Sequence, residues 1–266
     1  MTLVLTEMDG DGIVTLTLND PGSRNAISDL PMVEAILAAL AAAEADPAAR
    51  VIVLTGTGSA FSSGGNIKKM GESGGLNDPL PARTRQNYRA GIQRIPLAME
   101  AMELPVVAAV NGPAVGAGCD LTLMCDVRIA GESARFAESF VRLGIIPGDG
   151  GAWLLPRVVG FSKACEMALT GEMIDAAEAL RIGLVSRVVP DADLLETARD
   201  VARKIAANPT HAVRMTKRIL RQAGQMRLDQ ALELSAAYQA LAHATADHKE
   251  SVAAMLERRP AQLTGR

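Results

Sequence analysis

Two glycine-dense segments carry the strongest chemical signal in this chain. GTGSAFSSGGN spans residues 56–66 and NGPAVGAGC spans residues 111–119. Each follows a continuous apolar run, residues 51–54 and Val106–Val110, of the kind that forms a strand buried on both faces. In open α/β sheets ligands gather at the carboxyl ends of strands. Nucleotide phosphate binding fails on spacing: Gly112, Gly116 and Gly118 do not make GxGxxG, and no Lys-Ser/Thr pair follows. Tight turns are the plain alternative. A more specific one is that unpaired N–H groups at a helix start jointly hold a developing oxyanion. Imidazole is not on offer, because His211, His243 and His248 all lie in the last quarter of the chain. A Ser-His-Asp triad and most zinc enzymes are thereby disfavoured.

The elements that must position these turns alternate strand and helix. Residues 2–7 and Ile13–Leu18 read as a hairpin across MDGDG, whose Asp-Gly steps tolerate positive φ. A turn-rich NDPGSRNAIS segment precedes a helix that begins near Ser28 or Asp29, with Pro31 in its first turn. A long helical stretch is expected over residues 83–103, with further strands over 126–130 and 185–189. Past Pro190 the chain reads as helices over 191–207, Thr210–Ala223, Leu228–Ala244 and 247–257. The expected organisation is an α/β core over 1–190 and a helical region over 191–266. Apolar residues on those helices want another surface, such as a second subunit.

Composition closes off several classes. Hydrophobic residues make up 48% of the 266, enough for a sizeable core, while aromatics at 3% offer few platforms for stacking bases. A net charge of −3 gives no field that recruits nucleic acid or anionic membrane. Three cysteines exclude a disulfide scaffold and repeated CxxC zinc pairs. The start lacks the basic and apolar regions of a signal peptide, and no apolar run nears the ~20 residues of a membrane-spanning helix. A cytoplasmic enzyme is expected. The helix HAVRMTKRILR sets Arg214, Lys217, Arg218 and Arg221 on one face, read as solvated rather than as a phosphate or RNA site.

The blocks SAFSSGGNIKKM, AAVNGPAVGAGCDLTLMCDVRIAGESARF and LGIIPGDGGAWLLPRVVG resemble the enoyl-CoA hydratase/isomerase (crotonase) superfamily. NDPGSRNAIS, TGEMIDAAEALRIGLVSRVVP and the terminal stretch ending LERRP extend the likeness over nearly the whole chain. The resemblance implies an α/β, crotonase-like ββα-spiral core with a C-terminal helical trimerisation region, assembled as a homotrimer or a dimer of trimers. It implies an acyl-CoA thioester as substrate, no tightly bound cofactor and no metal. Block matching puts the oxyanion-hole donors at Gly65 and Ala117. Coenzyme A contacts fall by the same matching on Arg24, Ala26, Ser62, Ser63, Gly64, Ile67 and Lys68, with a Gly/Pro-rich segment over 71–82 covering the pocket.

The family's hydratases hold a water between two glutamates, and this sequence departs at both positions. Asp120 stands at the first, keeping a carboxylate on a shorter arm. Phe140 stands at the second, where it cannot transfer a proton and reads instead as a floor for the acyl pocket, with Trp153 as another apolar wall. Asp149 lies on the loop where some relatives with altered chemistry carry an acid, and is otherwise a helix N-cap. Glu138 could substitute for the missing glutamate, and is otherwise a capping or surface residue. The family likeness makes enoyl-CoA hydration the favoured label, and the loss of the second glutamate weighs against hydration and ordinary double-bond isomerisation alike. A divergent isomerase or hydrolase using Asp149 stands beside it, as does a non-catalytic acyl-CoA- or RNA-binding member.

Overall fold

The two apolar runs lie side by side at the centre of a six-stranded sheet. The computed structural model describes residues 1–70 and 75–265. In chain order the strands are β1 (Val4–Met8), β2 (Ile13–Leu18), β3 (Val51–Gly56), β4 (Val106–Val110), β5 (Ala114–Val115), β6 (Val127–Gly131), β7 (Arg135–Ala137), β8 (Met173–Asp175) and β9 (Arg187–Val189). The large sheet runs β1-β2-β3-β4-β6-β9, with β1 antiparallel to β2 and the others parallel. A small sheet, β5-β7-β8, stands beside it. Its strands are two or three residues long, too short for any period to announce them.

The first five helices are α1 (Leu30–Ala45), α2 (Ile67–Met70), α3 (Pro81–Ala90), α4 (Arg94–Ala101) and α5 (Ala117–Met124). After them come α6 (Gly151–Val159), α7 (Phe161–Thr170), α8 (Ala176–Arg181), α9 (Leu194–Ala206), α10 (Thr210–Ala223), α11 (Leu228–Ala244) and α12 (Ala246–Glu257). The expected long helix over 83–103 is two helices, α3 and α4. Pro96 has no N–H for the carbonyl of Ile92 and its ring would crowd that group, so the helix stops at Gly91 and restarts with Pro96 in the new first turn.

Alternate residues of β3 face two different layers. Ile52 and Leu54 enter the main core with Met32, Val33 and Ile36 of α1. Val51 and Val53 meet Leu194, Ala198, Ala202 and Ala206 of α9, a four-residue repeat that puts one small-residue stripe on the sheet. Helix α9 lies beyond residue 190 and packs on the sheet across β2, β3, β4 and β6.

The basic face of α10 is solvated only at its rim, where the Arg218 side chain is about half exposed. Lys217 is buried, its Nζ 2.8 Å from Asp126 and donating to the Leu104 carbonyl at 2.7 Å. Arg221 donates to Asp126, Glu100 and the carbonyls of Met99 and Met124. Arg214 pairs with Glu44 and Arg218 with Glu103. These cations dock the helix on the core, because burying them required an acid or carbonyl for each. On α11 and α12, Leu228, Leu232, Leu241, Val252, Met255 and Leu256 are exposed. No helix among the described residues is long and apolar enough to cross a membrane.

Candidate active site

Parallel pairing of β3 with β4 sends both glycine-dense turns out of the same edge of the sheet. Asn111 ties the strand ends, its Oδ1 accepting from the Gly56 amide at 3.2 Å. Ser62 and Ala114 then bridge the turns, with the Val115 amide donating to the Ser62 carbonyl at 3.0 Å. The approach is backbone on backbone. At Gly64, with φ of +75°, a Cβ would stand 2.2 Å from the Val115 carbonyl oxygen and 2.8 Å from the Ala117 nitrogen. Gly65, next in sequence, and Ala117, first residue of α5, border one cavity of about 60 Å³. Neither amide finds a protein acceptor among the described residues. Ala117 supplies one of the N–H groups that every helix start leaves open.

Other expected contacts divide between the cavity and its bracing. Ser63, Ile67 and Phe140 border the cavity, the Phe140 ring lying against Gly116. Ser62 does not: it is fully buried, donating to the Asn25 carbonyl at 2.7 Å and accepting from the Gly64 amide. Gly64 and Ala26 are also buried, outside the cavity lining. Arg24 is exposed on the NDPGSRNAIS segment, and its carbonyl accepts from the Ser63 amide. The Lys68 side chain and residues 71–74 lie outside the described residues. Trp153 walls a separate neighbouring cavity, where Arg157 stacks 3.8 Å from its ring centre.

Two cavity features escape sequence reasoning. Asn25, buried at φ of +57°, donates to the carbonyls of Thr57 and Ala60 and so clamps the first turn-rich segment to the glycine turn. Tyr88 of α3 borders both the inner cavity and a wider one of about 290 Å³ that shares Ser28, Leu76, Leu143 and Ile145 with it. Only the scarcity of aromatics marked Tyr88 out in the sequence.

The three candidate carboxylates come together, but only Asp149 borders the inner cavity. Asp120 sits within the wholly buried α5, against the start of α6. A Cβ on Gly151 would stand 2.1 Å from Asp120 Oδ1, so glycine there makes the acid's seat. Glu138 is fully buried, which excludes the surface reading, and its side chain caps nothing. Asp149 is not the cap of α6 either; Gly150 holds that position without a side-chain bond. Five oxygens of the three groups lack a well-formed hydrogen bond from any described donor.

Electrostatics follow from that crowding. Burial, then Glu138, drives Asp120 well above the usual carboxylate range. Burial, then Asp120, does the same to Asp149. Burial pushes Glu138 up to about 7, with hydrogen bonding to Asp120 and Cys119 pulling the other way. Like unit charges about 4 Å apart repel by about 4 kcal/mol at an effective dielectric constant of 20. At neutral pH these groups therefore retain protons between them.

The model of the family described as enoyl-CoA hydratase/isomerase matches residues 9–266. The chain belongs to this family. Its α/β fold with C-terminal helices is the crotonase fold, superposing with a TM-score of 0.92 on the crystal structure of enoyl-CoA hydratase from Bacillus anthracis, at 33% identity over 99% of this chain and 100% of that one. A 1,2-epoxyphenylacetyl-CoA isomerase of Escherichia coli is 36% identical over 268 residues, covering 100% of both chains. A crotonyl-CoA hydratase of Syntrophomonas wolfei is 38% identical over 252 residues, 94% of each. A hydratase and an isomerase of different acyl-CoA thioesters thus both stand among its relatives, and membership makes this chain an acyl-CoA enzyme without fixing its reaction.

Proposed function

We propose that this protein is an enoyl-CoA isomerase in which Asp149 is the acid/base. The observation that carries the reading is the cavity lining: Asp149 is the single carboxylate of the three to border it, beside the open amides of Gly65 and Ala117 and the apolar ring of Phe140. The thioester carbonyl oxygen accepts from those two amides. Asp149, once ionised, removes a proton from carbon, and the electron pair moves into an enolate held by the two N–H groups. Asp149 then returns the proton to a different carbon, so the double bond shifts with no atom gained or lost. One such donor stabilises the transition state by about 3 kcal/mol. Hydration asks for a water between two acid/base groups, whereas a double-bond shift can be carried by the one carboxylate that borders the cavity.

The test supplies β,γ- and α,β-enoyl-CoA thioesters and follows the absorbance of the conjugated thioester. Isomerisation produces that band from the β,γ substrate, and Asp149→Asn lowers the rate by roughly 10²–10⁴-fold. Rapid loss of the band from the α,β substrate, unaffected by Asp149→Asn, overturns the reading in favour of hydration. Coenzyme A is proposed to reach the site through the wider cavity lined by Tyr88, Asn66 and Lys69. An RNA-binding role finds little support, since all four cations of the α10 face are engaged by the protein's own oxygens. The exposed apolar residues of α11 and α12 support burial against further copies of the chain in a trimer or paired trimers, tested by sedimentation.

A further inference from the structure

The cluster holds two carboxyl groups more than the proposed reaction uses. Both lie beyond reach of the cavity, and both would be costly ornaments if they only packed. Asp120 is within hydrogen-bonding reach of Glu138 on one side and of Asp149 on the other. Asp120 and Glu138 are fully buried, and none of their four oxygens has a well-formed bond from a described donor. Two buried carboxyl groups side by side satisfy one another when one carries the proton and the other accepts it. Gly151 leaves the space in which Asp120 makes this arrangement.

We infer that Asp120 and Glu138 are positioning residues that act through Asp149: the three groups share protons in a chain with Asp120 in the middle, and that sharing sets the pH at which Asp149 accepts a proton from the substrate. The inference rests on the assignment of Asp149 as the base. The remaining titratable groups facing the chain are the buried Cys119 thiol, beside Glu138 and Asp120, and the Tyr88 phenol, beside Asp149. No cation appears among the groups that shift Glu138 or Asp149. Charge within the cluster is therefore balanced by protons, which makes it responsive to each member.

Substitutions at Asp120 and at Glu138 should act in opposite directions. Asp120→Asn removes the neighbour whose charge and bond hold Asp149 protonated, so the titration of Asp149 moves to lower pH. Glu138→Gln removes the competing anion and offers Asp120 an amide donor, so Asp120 ionises more readily and pushes Asp149 to higher pH. A merely structural role predicts a common loss of activity with no such divergence.

The experiment combines kcat/KM against pH for β,γ-enoyl-CoA isomerisation with infrared difference spectra of the full-length protein through the same titration. The acidic limb should fall by roughly 1 pH unit in Asp120→Asn and rise by a similar amount in Glu138→Gln, about tenfold in rate on the limb. The wild type should show a protonated-carboxyl C=O stretch at neutral pH that each substitution alters. Absence of that band from the wild type overturns the inference even if a variant fails to fold. Limbs that stay in place, in variants retaining native circular dichroism, overturn it too. Turnover that survives Asp149→Asn defeats instead the assignment of Asp149 as base, and the infrared band, which needs no turnover, tells the two failures apart.

Discussion

Charge is buried in two regions of this molecule, and the two handle it differently. Between α10 and the core, Lys217 and Arg221 share Asp126, and the remaining donors find Glu100 and three backbone carbonyls. Opposite signs meet at hydrogen-bonding distance, which offsets the cost of leaving water. Behind the inner cavity, three acids meet with no cation beside them among the described residues, and the cost is met by holding protons at a pH where ordinary carboxylates have lost them. Pairing makes the first region a clamp. Its lack gives the second the character of the proposed proton store, a form suited to general acid–base chemistry near neutral pH.

Several substitutions would sharpen or break this contrast. After the loss of turnover expected for Asp149→Asn, the largest effect should come from Lys217→Met. It leaves the Leu104 carbonyl unbonded and Asp126 short of one cation, so unfolding in urea should become easier by about 3–5 kcal/mol. A negligible change would mean that the paired region is not a clamp.

Glu138→Gln should act on pH dependence. Below pH 4.5 the wild-type Glu138 is protonated whether folded or unfolded, and contributes nothing. Between its ordinary value of 4.5 and the folded value of about 7, the unfolded chain releases the proton first, so stability falls as pH rises. Above that window the loss is complete, on the order of 3 kcal/mol. Denaturation at pH 5 and pH 8 should show this decline in the wild type and a flatter response in Glu138→Gln. An equal decline in both would remove Glu138 from the store. The smallest effect belongs to Arg218→Ala. Its pair with Glu103 lies at the rim, both side chains more than a third exposed, and should matter by about 0–1 kcal/mol. A larger loss would erase the distinction between rim and buried pairs of the same helix.

Much of the architecture was legible beforehand for local reasons. Ile13–Leu18 and Val106–Val110 form strands over the very residues expected, and Thr210–Ala223 and Leu228–Ala244 form helices likewise. Period and turn chemistry act within a few residues, so they are written in order along the chain. The short strands β5, β7 and β8 were not legible, because their pairing energy comes from partners distant in sequence. Nor was the fate of α10: a stripe of cations looks the same in sequence whether it faces water or Glu44, Asp126 and Glu100.

The candidate site divides along the same line. Sequence by itself determined that two glycine-dense turns follow two apolar strands, and it offered Asp120, Glu138 and Asp149 as candidate acids. Tertiary structure alone decided that Asp149 borders the cavity while Asp120 and Glu138 do not, and that Ser62 is buried against Asn25 and Gly64. The reason is physical. Whether a carboxyl group is a base, an acid or a shared-proton partner depends on how much water and which charges surround it, and those are set only when α5, the Glu138 segment and the Asp149 loop pack against one another.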